Sequence, residues 1–473
     1  MTSEEILKFE ESLEEISAKA KAMGLDCYPM RFEVCSAEII YTFGAYGMPT
    51  RFSHWSFGKS FHKMKTQYDY NLSRIYELVI NSNPCYAFLL DDNSLVQNKM
   101  VAAHVFAHCD FFKNNMWFRH TSKKMLETMA RSAERISEYE FRYGRKKVEE
   151  VIDAAMSIQE HIEPRHSIGR AKENNKRIMS NNRHKDTQIK ETPYDDLWNI
   201  GLDNIDEEVT QFRKFPETPE KDVLKFIATN SKELDEWECD IVFIIREEML
   251  YFWPQIETKI MNEGWATLWH ARIIRSMELT GDETLEFAKM HAGVIQSSKM
   301  GLNPYLVGLR IWEDIEKRWE NPSLEEQKKY GRKGGEGKAK IFEVRETEND
   351  ESFIRNYLTK DLVEELDLYL FQKVYTKWQV VDTEWKKVRE GLVSLLNNGG
   401  YPYIVVEDGN YNRNGELYLK HCHEERDLDL YYLEKTLPYV FRLWGKNVYL
   451  ETIAEDKSVL YSYNGEKLQK KVI

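Results

Sequence analysis

No stretch of about 18 uninterrupted apolar residues occurs in the chain, so no bilayer-spanning helix is expected. The amino terminus, MTSEEILKFEESLEEISAKAKAMG, lacks the basic start and apolar core of a secretory signal, which makes the cytoplasm the expected location. Cysteine is scarce: six in 473 residues, none in a CxxC pair. Scattered thiols suit a reducing compartment better than a disulfide framework. Basic residues are in deficit, 66 Lys and Arg against 79 Asp and Glu, for a net charge of −13. A general nucleic-acid binder needs basic surface to displace counterions from phosphates, so no such partner is expected. The glycine-rich GRKGGEGK lacks the P-loop spacing, because Ala339 follows Lys338, and a nucleotide site there is rejected. No internal repeat is evident.

What is abundant points to a large soluble core. Apolar residues make up 42% and aromatics 13%, with 26 Tyr and 12 Trp, and the length asks for two or three domains. Ile6, Phe9, Leu13 and Ile16 form one stripe of an amphipathic first helix. Residues 68–82 read as helix and 83–94 as an extended apolar segment, with Asp91 to Ser94 placed to cap the next helix. A long charged helix is expected over 122–161, ended by Glu163-Pro164. Residues 165–192, with eight Lys or Arg and almost no large apolar residue, read as a mobile basic loop. Helical pattern resumes from 221 to 319, and 328–340 reads as a loop. Beyond it KIFEVRE, YPYIVVED, ELYLKHC, YVFRLW, NVYLETIA and SVLYSYN have strand texture, with DGN as a hairpin signal. The expected fold is mainly α. A large helical domain, 1–164 and 193–327 with a zincin-like core, precedes a small α+β domain at 341–473.

VAAHVFAHCDFFKNN places His104 and His108 one helical turn apart on one face. Two neutral imidazoles so spaced can bind zinc or another divalent metal. MNEGWATLWH offers Glu263 as third ligand, a carboxylate whose apolar setting makes it costly unless neutralised. His270 is two turns further on, as fourth ligand or support, and His291 and Tyr305 belong to a segment that can line the same cleft. The alternative is a packed helix with two hydrogen-bonded imidazoles, Glu263 capping a helix or pairing with Arg272 or Arg275. Val105 stands where HExxH peptidases carry their general-base glutamate. Asp110 faces away from the two histidines, Glu160 and Glu163 need the long helix to fold back, and Cys109 is a poorly placed extra ligand. No catalytic residue is therefore assigned. In KHCHEE, His421 and His423 read as the polar end of a strand.

RFEVCSAEIIYTFGAYGMPTRFSHWSFGKSF, HVFAHCDFFKNN, MNEGWATLWH and GLNPYLVGLRIWEDIEKRW occur in this order, and together they resemble the stage V sporulation protein R family over most of residues 1–320. The resemblance implies a role in forming the spore cortex, a modified peptidoglycan layer. It also implies protein partners in a sporulation or stress system, since family genes neighbour those of a kinase-like AAA+ protein and a von Willebrand-type protein. It supplies no catalytic residue. Two readings stand: an atypical metal-dependent hydrolase, with Tyr305 or His291 polarising a carbonyl, or a non-enzymatic factor acting through protein contacts.

Overall fold

The computed structural model describes residues 3–70, 77–165, 214–297, 301–374, 377–424, 426–454 and 456–473. The basic segment 165–192 lies outside these, Arg165 excepted. By internal contacts the chain divides into two units, residues 1–150 with 247–401, and residues 151–246 with 402–473. The first is mostly helical. The second carries a five-stranded mixed sheet with one helix among its C-terminal residues.

In the first unit, the helix Leu95–Asn114 forms the centre. Ser94 starts it with a capping box: its hydroxyl accepts the Gln97 amide at 3.1 Å, and its own amide donates to the Gln97 side chain at 3.0 Å. Nearly every residue from Met100 to Phe112 is buried, as an apolar-all-round helix requires. Around it pack the first helix, Ser3–Ala22, and the helix Lys259–Arg275. The expected first-helix stripe holds for Phe9 and Ile16, while Ile6 is exposed.

A three-stranded sheet lies beside the central helix. Cys85–Leu90 is its middle strand, parallel to Met30–Cys35 and antiparallel to Glu77–Ile80. Residues 77–80 are thus strand where the sequence pattern suggested helix, because Leu78 and Ile80 face Phe88 and Tyr86 in the ladder. Of the helix expected over 68–82, only Tyr68 and Asp69 are helical, as the end of Trp55–Asp69, and 71–76 lie outside the described residues.

The helix Lys259–Arg275 is positioned by three devices. Its N-cap residue, Thr258, makes no side-chain cap. Asp350 substitutes from another helix, accepting the amides of Ile260 at 2.7 Å and Met261 at 2.8 Å. Next, Gly264 meets Gly308 of the helix Pro304–Glu320 backbone to backbone. A methyl group on Gly264 would lie 2.3 Å from the Gly308 carbonyl carbon, so neither position accepts a side chain. Finally, Trp265 donates its indole N–H to Asp110 of the central helix at 2.9 Å. Asp110 also pairs with Arg345 at 3.0 Å and accepts the Asp26 amide at 2.8 Å, a buried charge with its partners in place.

The second unit holds the strands 404–411, 416–421, 448–454, 457–463 and 468–472, adjacent in that order. Only 416–421 and 448–454 run parallel, and the helix Leu430–Trp444 makes the crossover between them. YVFRLW is the end of that helix and not a strand, because Leu433, Leu437, Val440 and Trp444 are buried at helical spacing. KIFEVRE likewise belongs to the helix Gly337–Thr347, with Ile341 and Val344 inward. DGN stays within its strand as a register irregularity. The hairpin turns at Asn412 and Arg413, both with positive φ. The long charged helix breaks at Gly144 into Met125–Tyr143 and Arg145–Met156.

Candidate metal centre

The two histidines and the glutamate come from the two central helices and meet. His104 Nε2 and His108 Nε2 each lie 3.6 Å from the same oxygen, Oε2 of Glu263. One nitrogen from each ring and one carboxylate oxygen all fall within 4.8 Å of one another. Separations of 3.6 Å are too long for hydrogen bonds. They match two donors sharing one ion, since ligands about 2.0–2.1 Å from a tetrahedral metal sit roughly 3.4 Å apart. Glu263 Oε2 is buried and has no hydrogen-bond partner among the described residues. A bare buried carboxylate oxygen is costly, and a cation between these three groups removes that cost.

Each imidazole is turned by its other nitrogen. His108 Nδ1 lies 2.9 Å from the Asn262 side-chain oxygen. Because that oxygen only accepts, the ring carries its proton on Nδ1 and offers the Nε2 lone pair to the site. His104 Nδ1 lies 2.9 Å from His270 Nδ1, and His270 Nε2 lies 2.9 Å from His291 Nδ1. If His104 gives Nε2 to a metal, the whole row is fixed: His104 donates to His270, and His270 donates to His291. His270 would then support the ligands from one step behind. His291, on the helix Gly281–Val294, is half-exposed and ends the row. That helix is held to the central one by Ser94 to Glu286 at 2.6 Å and Lys99 to Glu283 at 2.9 Å.

The electrostatics favour ligation. Burial pushes the His108 imidazole down to about 4, the neighbouring His104 adding to it. Burial likewise carries His270 well below its usual value, and His291 below it. These rings are neutral near pH 7, the form that binds metal. Burial opposes ionisation of Glu263, but His104, His108 and Tyr305 together hold its carboxyl below the usual range. Tyr305 stacks on His104 with ring centres 6.1 Å apart. Asn303 sets it there, accepting the Tyr305 amide at 3.0 Å, with Pro304 in the first helical turn.

Other sequence candidates stand elsewhere. Val105 is buried in the core. Asp110 is occupied by Arg345, Trp265 and Asp26. Glu163 pairs with Lys221, and His421 bonds Thr452 at 2.9 Å. A cleft of about 500 Å³, lined in part by Phe252, Ile256, Ile260, Leu302 and Pro304, includes the residue before Tyr305 and one a helical turn before Glu263. One residue at the centre carries no local signal in the sequence: Asn262, hidden beside Glu263 and bonded to His108.

Comparison with known proteins agrees with the motif pattern. A family model described as SpoVR like protein matches residues 3–401, and one described as SpoVR-like C-terminal domain matches 402–455. The junction between the two matches coincides with the unit boundary at Tyr401 and Pro402. A relative, the uncharacterized protein YcgB of Escherichia coli (strain K12), is 30% identical over 477 residues, covering 94% of this chain and 92% of that protein. No solved structure matches.

Proposed function

The chain belongs to the SpoVR-like family, and on that premise we propose that its helical unit is a divalent-metal centre of the hydrolytic type, working in the cytoplasm in formation of the spore cortex. The observation that carries the metal reading is the buried, unpartnered Oε2 of Glu263, equidistant from two imidazole nitrogens. Three protein ligands with a side left open is the pattern of catalytic zinc sites, whereas structural sites close with four. Zinc fits this set of two nitrogens and one oxygen, and other divalent ions that accept imidazole fit it too. Bound there, such an ion polarises a carbonyl or activates a water. The protein's own groups divide the remaining work. His270 and Asn262 orient the ligands, and Tyr305 offers a neutral hydroxyl beside the carboxylate, its phenol pushed up by burial. The mainly apolar cleft that reaches Pro304, next to Tyr305 in sequence, gives an acyl substrate a place to lie.

The cortex role rests on the family resemblance. A cytoplasmic protein would act there on a precursor or on the synthetic machinery, with protein partners of the same stress or developmental system. Val105 favours a second reading, in which the metal is structural and the protein acts through contacts alone. Metal analysis of protein purified without added metal tests the centre. About one ion per chain is expected in the wild type, and loss of it in His104→Ala and Glu263→Ala. Folded wild-type protein free of metal overturns the reading.

A further inference from the structure

We propose that Glu77 is the proton acceptor of this centre, doing from a neighbouring strand what the residue at position 105 cannot do from the helix. The assignment rests on the metal reading above.

The placement is the first ground. Glu77 opens the strand Glu77–Ile80, an edge of the three-stranded sheet, and pairs across the ladder with Leu89. That strand touches the histidine helix directly. Glu77 is close enough to His104 and Glu263 for both to act on its charge, and its own charge acts on Tyr305. Members of the centre on three separate helices therefore share it as a neighbour.

The second ground is that no described residue uses it. Glu77 makes no side-chain hydrogen bond or ion pair with any described residue, although it is half-buried. Sheet structure does not need a carboxylate there: strands favour β-branched and aromatic residues, and a partly buried carboxylate beside a second one is unfavourable. It also stands outside the ligand group: among the described residues, the atoms close enough to share one ion are those of His104, His108 and Glu263. A residue near the ligands but outside their group is what a general base requires, because it must reach a water and leave the ion alone. Two other buried carboxylates are spent: Asp110 on Arg345 and Trp265, and Asp350 on the Ile260 and Met261 amides.

The step balances without a further reagent. A water gives one proton to the Glu77 carboxylate as its oxygen bonds to the acyl carbon of an amide or ester. The same proton passes to the leaving nitrogen or oxygen as the acyl bond breaks, and Glu77 ends ionised as it began.

The test uses the full chain loaded with cobalt(II) and acetohydroxamic acid as probe. This acid must lose a proton to a nearby base when it chelates, and the cobalt absorption bands report its binding without any turnover. Glu77→Gln is expected to hold as much cobalt as the wild type and to bind the probe about tenfold to a hundredfold more weakly, as loss of a charged hydrogen bond implies. Glu77→Asp is expected to recover part of that loss. Equal probe affinity in wild type and Glu77→Gln overturns the assignment. Loss of cobalt from folded Glu77→Gln also overturns it, by making Glu77 a ligand. Wild-type protein that takes up no cobalt is a separate result, which removes the metal reading itself.

Discussion

His104 and His270 face each other through their Nδ1 atoms at 2.9 Å, across two helices and 166 positions of sequence. One of the two must donate and the other accept, so the bond holds only if their tautomers are opposite in sense. Metal on His104 Nε2 selects one arrangement, with the proton on His104. An ion bound there and the row of imidazoles would therefore support each other.

His270→Ala is expected to weaken metal binding by about tenfold to a hundredfold, the usual cost of removing a partner behind a ligand. Competition against a chromophoric chelator measures it. His291→Ala, one step further out, is expected to cost less. Unchanged affinity in His270→Ala would mean that the bond to His104 plays no part in ligation.

Gly264 follows Glu263 directly and lies against the Gly308 backbone. Gly264→Ala must push the two helices apart, because the obstructing atoms are main chain and cannot rotate away. A destabilisation of about 2–3 kcal/mol is expected in urea unfolding, together with weaker metal binding as Glu263 moves. Gly293→Ala, where nothing lies within 4 Å of the added methyl, is the control and is expected to leave metal binding unchanged and to cost no stability.

Asp350 gives a pH signature. Burial pushes its carboxyl up to about 7, against the two amides of the glutamate helix that favour the charged form. Its folded pKa thus exceeds its unfolded one, near 3.9. The stability linked to this group is fully present below about pH 4 and is lost as pH rises through about 7. Thermal unfolding between pH 5 and 8 checks it: the difference in Tm between wild type and Asp350→Asn should shrink as pH rises. A difference that grows with pH would reverse the sign and contradict the burial account.

The His104, His108 and Glu263 cluster that could hold a metal was legible in the sequence because each part of it is local. His104 and His108 share a helical face by spacing alone, and Glu263 stands out as a carboxylate in an aromatic helix. The capping of the central helix was also readable, since Ser94 and Gln97 are three residues apart. What escaped depends on tertiary closure. Glu77 lies on a strand whose residues look helical until Phe88 and Tyr86 are beside them. Asp350 caps a helix that begins 91 positions before it, and no local signal can announce that. KIFEVRE and YVFRLW show the limit of short apolar patterns: near-alternation over six residues fits a strand, yet burial at three- and four-residue spacing is what the folded chain uses.

The most direct test of the centre is crystallographic: anomalous diffraction at the zinc or cobalt edge from the metal-loaded full chain. The expected result is one strong peak about 2.0–2.2 Å from His104 Nε2, His108 Nε2 and Glu263 Oε2 together. A loaded crystal with no peak among these three atoms, or with its peak on other residues, would contradict it.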